Sequence, residues 1–218
     1  MPPLIDTLLA SPDGVEVVRD QIGAILLLEL TNQGTLGLSP VPRVFIERSN
    51  PWGVVVEPSP DERPIINVWW DASTFDGNAS TIAERQRAEG IFNIDAYAFA
   101  LNRETAPGHA PADAAAAFAC QKTLRLARQI LMSAFYTYLG LRGLVWRRWP
   151  QSITMFQPPI DLRASHHVVA GRLALAVQFN EVAPQVPGEP LETLSVEVFR
   201  ASTGELLIAA EYPPFSPP

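Results

Sequence analysis

At 218 residues the chain is long enough to bury a real core, and its 47% apolar and 18% charged residues exclude wholesale disorder. A formal net charge of −7 argues against a broad nucleic-acid-binding surface, which carries a basic stripe. The one cysteine, Cys120, cannot form an intrachain disulfide, so nothing asks for an oxidising compartment.

The opening MPPLIDTLLA lacks a basic n-region and a sustained apolar core and does not read as a signal peptide. Next, SPDGVEVVRDQIGAILLLELTNQG predicts an amphipathic helix over about 11–31. Ser11 is the expected N-cap, Pro12 the first helical residue and Gly34 the stop signal. Val15, Val18, Ile22, Ile25 and Leu26 form its apolar stripe, while Glu16, Arg19 and Asp20 face water. PRVFIER (42–48) and GVVVEP (53–58) read as short strands joined by a turn at SNPWG. PIINVWWDA (64–72) is a further strand, and STFDGNAST (73–81) a loop.

EGIFNIDAYAFA (89–100) reads as a strand with Phe92, Ile94, Ala96 and Ala98 on one face and Asn93, Asp95 and Tyr97 on the other. PGHAPAD then breaks the chain, placing His109 in a loop. The alanine-rich stretch that follows predicts a long helix over about 113–139, capped by Asp113 and ended by Gly140. Phe118, Leu124, Ile130, Leu131, Phe135 and Tyr138 are its expected apolar face. LVWRRW and SITMFQ flank Pro150, which marks an edge position or a bulge. In GRLALAVQFN, Leu173, Leu175, Val177 and Phe179 alternate with Arg172, Ala174, Ala176 and Gln178, the cleanest period-two segment. A proline-rich loop (184–190) leads to a closing hairpin with its turn at Ser202-Thr203-Gly204. The apolar runs 22–30 and 130–141 fall short of the about 20 residues that a bilayer span needs, so a soluble protein without a membrane partner is expected.

Strands adjacent in sequence and joined by short turns predict a mainly antiparallel sheet, with the two helices packed on one face in an α+β arrangement. A single domain over 1–218 is expected, with a proline-rich insertion at about 36–63 and a proline-rich tail at 212–218.

The candidates for chemistry are few. His166 and His167 are adjacent, so on a strand they point to opposite faces and cannot readily chelate one ion. They read as the entry to a strand, one side chain inward and the other toward solvent or a neighbouring subunit. Cys120, among Ala and Phe on a helix, reads as a small buried hydrophobe rather than a nucleophile. Nucleotide-binding loops, the nucleophile elbow and the paired-histidine zinc motif are all missing from the sequence. The expectation is therefore no catalytic, metal or cofactor site and no enzyme activity. WRRW interleaves cations and aromatics. On a regular strand Trp146 and Arg148 share one face and Arg147 and Trp149 the other, which favours cation–π pairing in the sheet or at a subunit contact over a nucleic-acid platform. In VWWD one tryptophan belongs inside and the other on the outer face, a typical interface anchor. Trp69, Trp70, Trp146, Arg147, Arg148, Trp149, His166 and His167 are thus the interface candidates.

Taken in order, the opening helix, PIINVWWDA, EGIFNIDAYAFA, the helix ending LARQILMSAFYTYLGL, SHHVVAGRLALAVQFNEVAP and the final hairpin resemble the tail terminator (tail completion) proteins of tailed bacteriophages. The resemblance spans most of residues 1–212. It implies an α+β structural virion protein that forms a ring, commonly a homohexamer, on the head-proximal end of the tail tube. That ring would join the tube to the neck or head–tail connector protein, with the tail sheath as a further neighbour. No cofactor and no turnover are implied, and the place of action is the virion, with assembly in the host cytoplasm. An acidic lumen would let DNA pass without sticking. Residues 36–63 and YPPFSPP depart from the compact pattern of that family and leave open another neck or baseplate role. The competing class is a small enzyme using His166 or His167 as a base.

Overall fold

The first helix is fixed by its opening turn. The computed structural model describes residues 12–49, 51, 63–77, 85–101, 103–105, 108–110, 112–156, 166–182, 194–199 and 206–212. In it α1 spans Gly14–Thr35, and its N-cap is Asp13 rather than Ser11. The Asp13 carboxylate accepts from the Glu16 N–H, and the Glu16 carboxylate accepts from the Asp13 N–H. This reciprocal box satisfies two helix-end donors and leaves Pro12 outside the helix. Gly34 does not stop the helix. It makes room for Val41, whose Cγ2 would lie 2.7 Å from an added Cβ.

A five-stranded sheet follows, in the order β1-β2-β3-β7-β6. Its strands are β1 (Arg43–Ile46), β2 (Ile65–Phe75), β3 (Arg85–Leu101), β6 (Val145–Phe156) and β7 (His166–Val182). β1 runs parallel to β2, and every other pairing is antiparallel. β3 and β7 pair without a break from Arg85 opposite Val182 to Leu101 opposite His166. β2 continues through Phe75, into the stretch expected as a loop. Between β3 and the second helix, β4 (Arg103–Thr105) and β5 (Gly108–Ala110) form a small hairpin, so His109 lies on a strand and not in a loop. The expected strand at 53–58, the loop at 184–190 and the turn at 202–204 lie outside the described residues. Contacts divide the chain into two units, the larger spanning Leu9–Ala183. The smaller holds the hairpin of β8 (Leu194–Phe199) and β9 (Leu206–Tyr212), paired with each other in a separate two-stranded sheet.

The second helix, α2, runs Ala112–Leu131, shorter than the expected 113–139. A 3-10 turn follows over Ala134–Tyr136, with Ser133 as its cap. The reason for the early stop lies across the fold in Arg148. Its Nε donates to the Leu131 carbonyl at 2.5 Å, Nη1 to Thr137 at 2.6 Å and Nη2 to Ser133 at 2.8 Å. One guanidinium thus caps the carbonyls at and beyond the end of α2, among them that of Leu131, which a continuing helix would have used, while Ser133 also accepts from the Tyr136 N–H at 3.0 Å. The expected apolar face is corrected as well: Phe118, Phe135 and Tyr138 are 71%, 94% and 40% exposed. The buried side keeps the expected Leu124 and Leu131 and adds Ala116, Cys120 and Ala127.

Both helices cover one face of the sheet. Val18, Ile22, Leu26 and Leu30 of α1 and Leu124 and Leu131 of α2 meet Val68, Phe92, Ile94, Leu173, Leu175 and Phe179 in one core. Each fully buried aliphatic contributes roughly 1.5–3 kcal/mol over leaving it in water. The strand faces read from the sequence hold here, with Phe92, Ile94, Ala96 and Ala98 under the helices. The other face carries a smaller cluster of Ile65, Tyr97, Phe99, Val168 and Ala170, with Phe45 and Phe156 against it.

Candidate functional site

The face opposite α1 and α2, helix-free among the described residues, holds a concentrated polar group. Strand register places Asn67, Asp95 and Arg172 side by side on β2, β3 and β7. The Asp95 side chain is only 3% exposed, and Arg172 grips it twice: Nε reaches Oδ1 at 2.7 Å and Nη2 reaches Oδ2 at 3.0 Å. Trp69 Nε1–H donates to Oδ2 at 2.9 Å, and the Tyr97 hydroxyl donates to it at 3.3 Å. The Arg172 guanidinium also lies over the rings of Trp69 and Phe156, at 4.7 and 5.4 Å from their centroids. Asn67 holds the end of β1: its Nδ2 donates to the Arg48 carbonyl at 3.0 Å, and its Oδ1 accepts from the Arg48 N–H at 3.1 Å. A cleft of about 340 Å³ opens beside these residues, lined also by Glu47, Ser49 and Pro51.

This arrangement is built to stay as it is. Four donors hold the Asp95 carboxylate in place on the sheet face. The Tyr97 phenol is held well above its usual pKa, chiefly by burial and then by the charge and hydrogen bond of Asp95. Burial likewise pushes the Cys120 thiol up to about 12, and its Sγ lies 3.4 Å from the Ala96 carbonyl as a donor. Neither group is an activated nucleophile. Among the described residues, no three His, Cys, Asp or Glu side chains come together as a metal-binding group, and no helix is long and apolar enough to cross a membrane.

The eight interface candidates are distributed, not gathered. Trp69 is half-buried in the Asp95 cluster, while Trp70 is 43% exposed and ties its Nε1–H to Ser73 Oγ at 3.0 Å. The expected sharing of a face by Trp146 and Arg148 fails, because the register of β6 on β7 shifts between Val145 and Arg147. That bulge turns Trp146 to the helix-free face, where the Arg87 guanidinium stacks on its ring at 3.9 Å. Arg148 turns the other way, to the end of α2. Arg147 lies over Trp149 at 5.0 Å, the in-sheet cation–π pairing that their alternation predicts. A second shift between Pro150 and Ser152 accommodates the proline on an edge strand. His166 is the first residue of β7, and His167 is exposed; the side chain of His166 lies outside the described part.

Sequence reading missed the Asp95–Arg172 pair, although a signal was present. Both residues interrupt period-two strands with a charge, and opposite charges on adjacent strands are a recurrent cross-strand pair. It also missed the exposed side of α1, where Leu27 and Leu28 are 57% and 64% exposed. No family model matches this sequence, and no curated protein matches it.

Proposed function

We propose that this chain is a ring-forming structural subunit of a phage tail, a terminator that caps the head-proximal end of the tail tube and joins it to the neck. The observation that carries this reading is the distribution of exposed apolar side chains. Leu27 and Leu28 stand out from α1, Phe118 from α2, and Trp146, Ile153 and Met155 from the edge strand β6. A subunit that meets neighbours on more than one side has a use for such surfaces. The polar cluster on the other face fits the same reading: its charges are spent on one another, giving a rigid surface rather than a reacting centre. The order of elements that resembles tail terminators adds to it, and the partners are then the tail tube protein, the connector and further copies of this chain.

The test is direct. The purified full chain is mixed with tail tubes lacking a terminator and viewed by electron microscopy, with particle mass measured in parallel. Rings bound at one tube end, and tubes that stop growing there, are the expected result. A chain that stays monomeric and never associates with tubes overturns the reading, and binding at the baseplate-side end reassigns it within the tail.

A further inference from the structure

Helix α1 is apolar on two sides. Its inner side, with Val18, Ile22, Leu26 and Leu30, is in the core. The opposite side presents Ala24, Leu27, Leu28 and Thr31, spaced three and four apart and all exposed. No charge interrupts this stripe, since Glu29 turns away from it to accept the Tyr136 hydroxyl. Toward the N-terminus the exposed residues become acidic, with Asp13 and Glu16 joined in the capping box and Asp20 paired with Arg19 at 2.8 Å. A helix with a second, exposed apolar stripe offers a surface for a partner to cover.

A complementary surface exists elsewhere on the molecule. The helical layer stops short of β6: Ile153 and Met155 pair with Leu173 and Gly171 and so belong to the helix-covered face, yet they are 47% and 43% exposed. Met155 reaches the margin of α2, because Gly171 lets it converge with Leu124. An added Cβ there would lie 2.6 Å from Leu124 Cδ1 and 2.7 Å from Met155 Sδ. On α2, Leu126 and Ile130 line the cleft shared with Glu29 and Gln33 of α1. Helical periodicity therefore turns Arg125 and Arg128 to the side of α2 away from α1, and both are exposed. With Lys122 they make a basic strip in a chain whose net charge is −7.

We infer that the outer stripe of α1 in one copy docks on the Ile153–Met155 shelf of the next copy. Leu27 and Leu28 fill the place of a missing third helix, and the acidic first turns of α1 meet Arg125 and Arg128. Apolar matches apolar and acid matches base, which selects a second copy of this chain as the occupant. The contact is heterologous: each copy offers α1 on one side and the shelf on another, so repetition closes a ring when the rotation allows. The inference deepens the ring reading and rests on it for symmetry, but its test reads the contact alone.

Two blocked forms of the full chain carry the test, one with Leu27→Asp and Leu28→Asp, the other with Ile153→Asp and Met155→Asp. All these positions are exposed, so native circular dichroism is expected in both. Sedimentation should show each form alone as a monomer, and their mixture as a one-to-one pair, because each retains the half that the other lacks. Wild-type assemblies that persist in either blocked form overturn the inference, as does a mixture that fails to pair. Arg128→Glu is a milder variant at an exposed position, and because Arg128 lies in the last turn of α2 its circular dichroism is checked as well. It should weaken wild-type assembly about tenfold, and Asp20→Arg in the same chain should restore it; no weakening, or no restoration, counts against the contact. Blocked forms that still assemble and cap tubes sink this contact and leave the terminator reading standing. Pairing of the mixed forms without any tube binding by the wild type does the reverse.

Discussion

Asp95 shows how much one buried charge asks of its neighbours. Four donors from three strands converge on it, and Arg172 is the only cation among them. Replacing Asp95 with Ala leaves a guanidinium facing two ring faces without its counter-charge. The expected loss is about 2–4 kcal/mol, toward the lower part of the range for broken buried pairs because Arg172 keeps access to water. A lowered midpoint in urea with an unchanged slope checks it. Tyr97 and Cys120 give the same scale a pH signature. Both are held protonated in the folded chain above their usual values of 10.0 and 9.0, whereas the unfolded chain ionises them at those values. Their contribution is therefore complete below pH 9.0 and is lost as pH rises beyond it. Denaturation at about pH 8 and about pH 10.5 should show that loss, and the double replacement Tyr97→Phe with Cys120→Ala should flatten it. An unchanged slope in the double variant would remove the assignment.

Among the elements, α2 depends on a residue that is distant in sequence. Arg148 binds the carbonyls of Leu131, Ser133 and Thr137, and its positive charge lies at the helix end that favours cations. Arg148→Ala is expected to cost about 2–3 kcal/mol and to speed amide exchange over residues 128–137 more than in the β3–β7 pair. Uniform acceleration across the fold would show that Arg148 acts through global stability alone. The same residue explains why the end of α2 was illegible in the sequence. The apolar pattern continues through ILMSAFYTYLG, and the side chain that closes the helix end arrives from β6, further along the chain, beside the local cap of Ser133. What depends on period alone was legible: the alternation around Leu173 and around Phe92 fixes which face meets the helices. A bulge destroys that legibility, as at Trp146, because one extra residue reverses the parity behind it. The Asp13 box displaced the expected cap by two positions for a similarly local reason, the Glu16 side chain reaching back. The Asp95 cluster needed the register of three strands at once, which no single stretch of sequence carries.

At the scale of the whole molecule the unequal finish of the two sheet faces is the informative feature. Among the described residues one face is closed by helices except above Ile153 and Met155 of β6, and α1 carries an outer side that matches that bare margin. The match has two physical components with opposite responses to salt, which makes it separable from ordinary stickiness. Raising sodium chloride from about 0.1 M to about 1 M shortens the screening length from about 10 Å to about 3 Å. The attraction of Glu16 and Asp20 for Arg125 and Arg128 then fades, while burial of Leu27 and Leu28 persists. Assembly should therefore weaken and level off rather than vanish. Sulfate at similar ionic strength screens the charges equally but strengthens apolar burial, so it should recover part of the loss. The Leu27→Asp, Leu28→Asp form should remain monomeric in both salts. Sedimentation across the two salt series distinguishes the possibilities. A contact made of charge alone falls steadily in both, and one made of apolar surface alone is never weakened in either. Only a contact combining the two gives a partial loss in chloride with recovery in sulfate, which is the behaviour expected of α1 seated on the β6 margin.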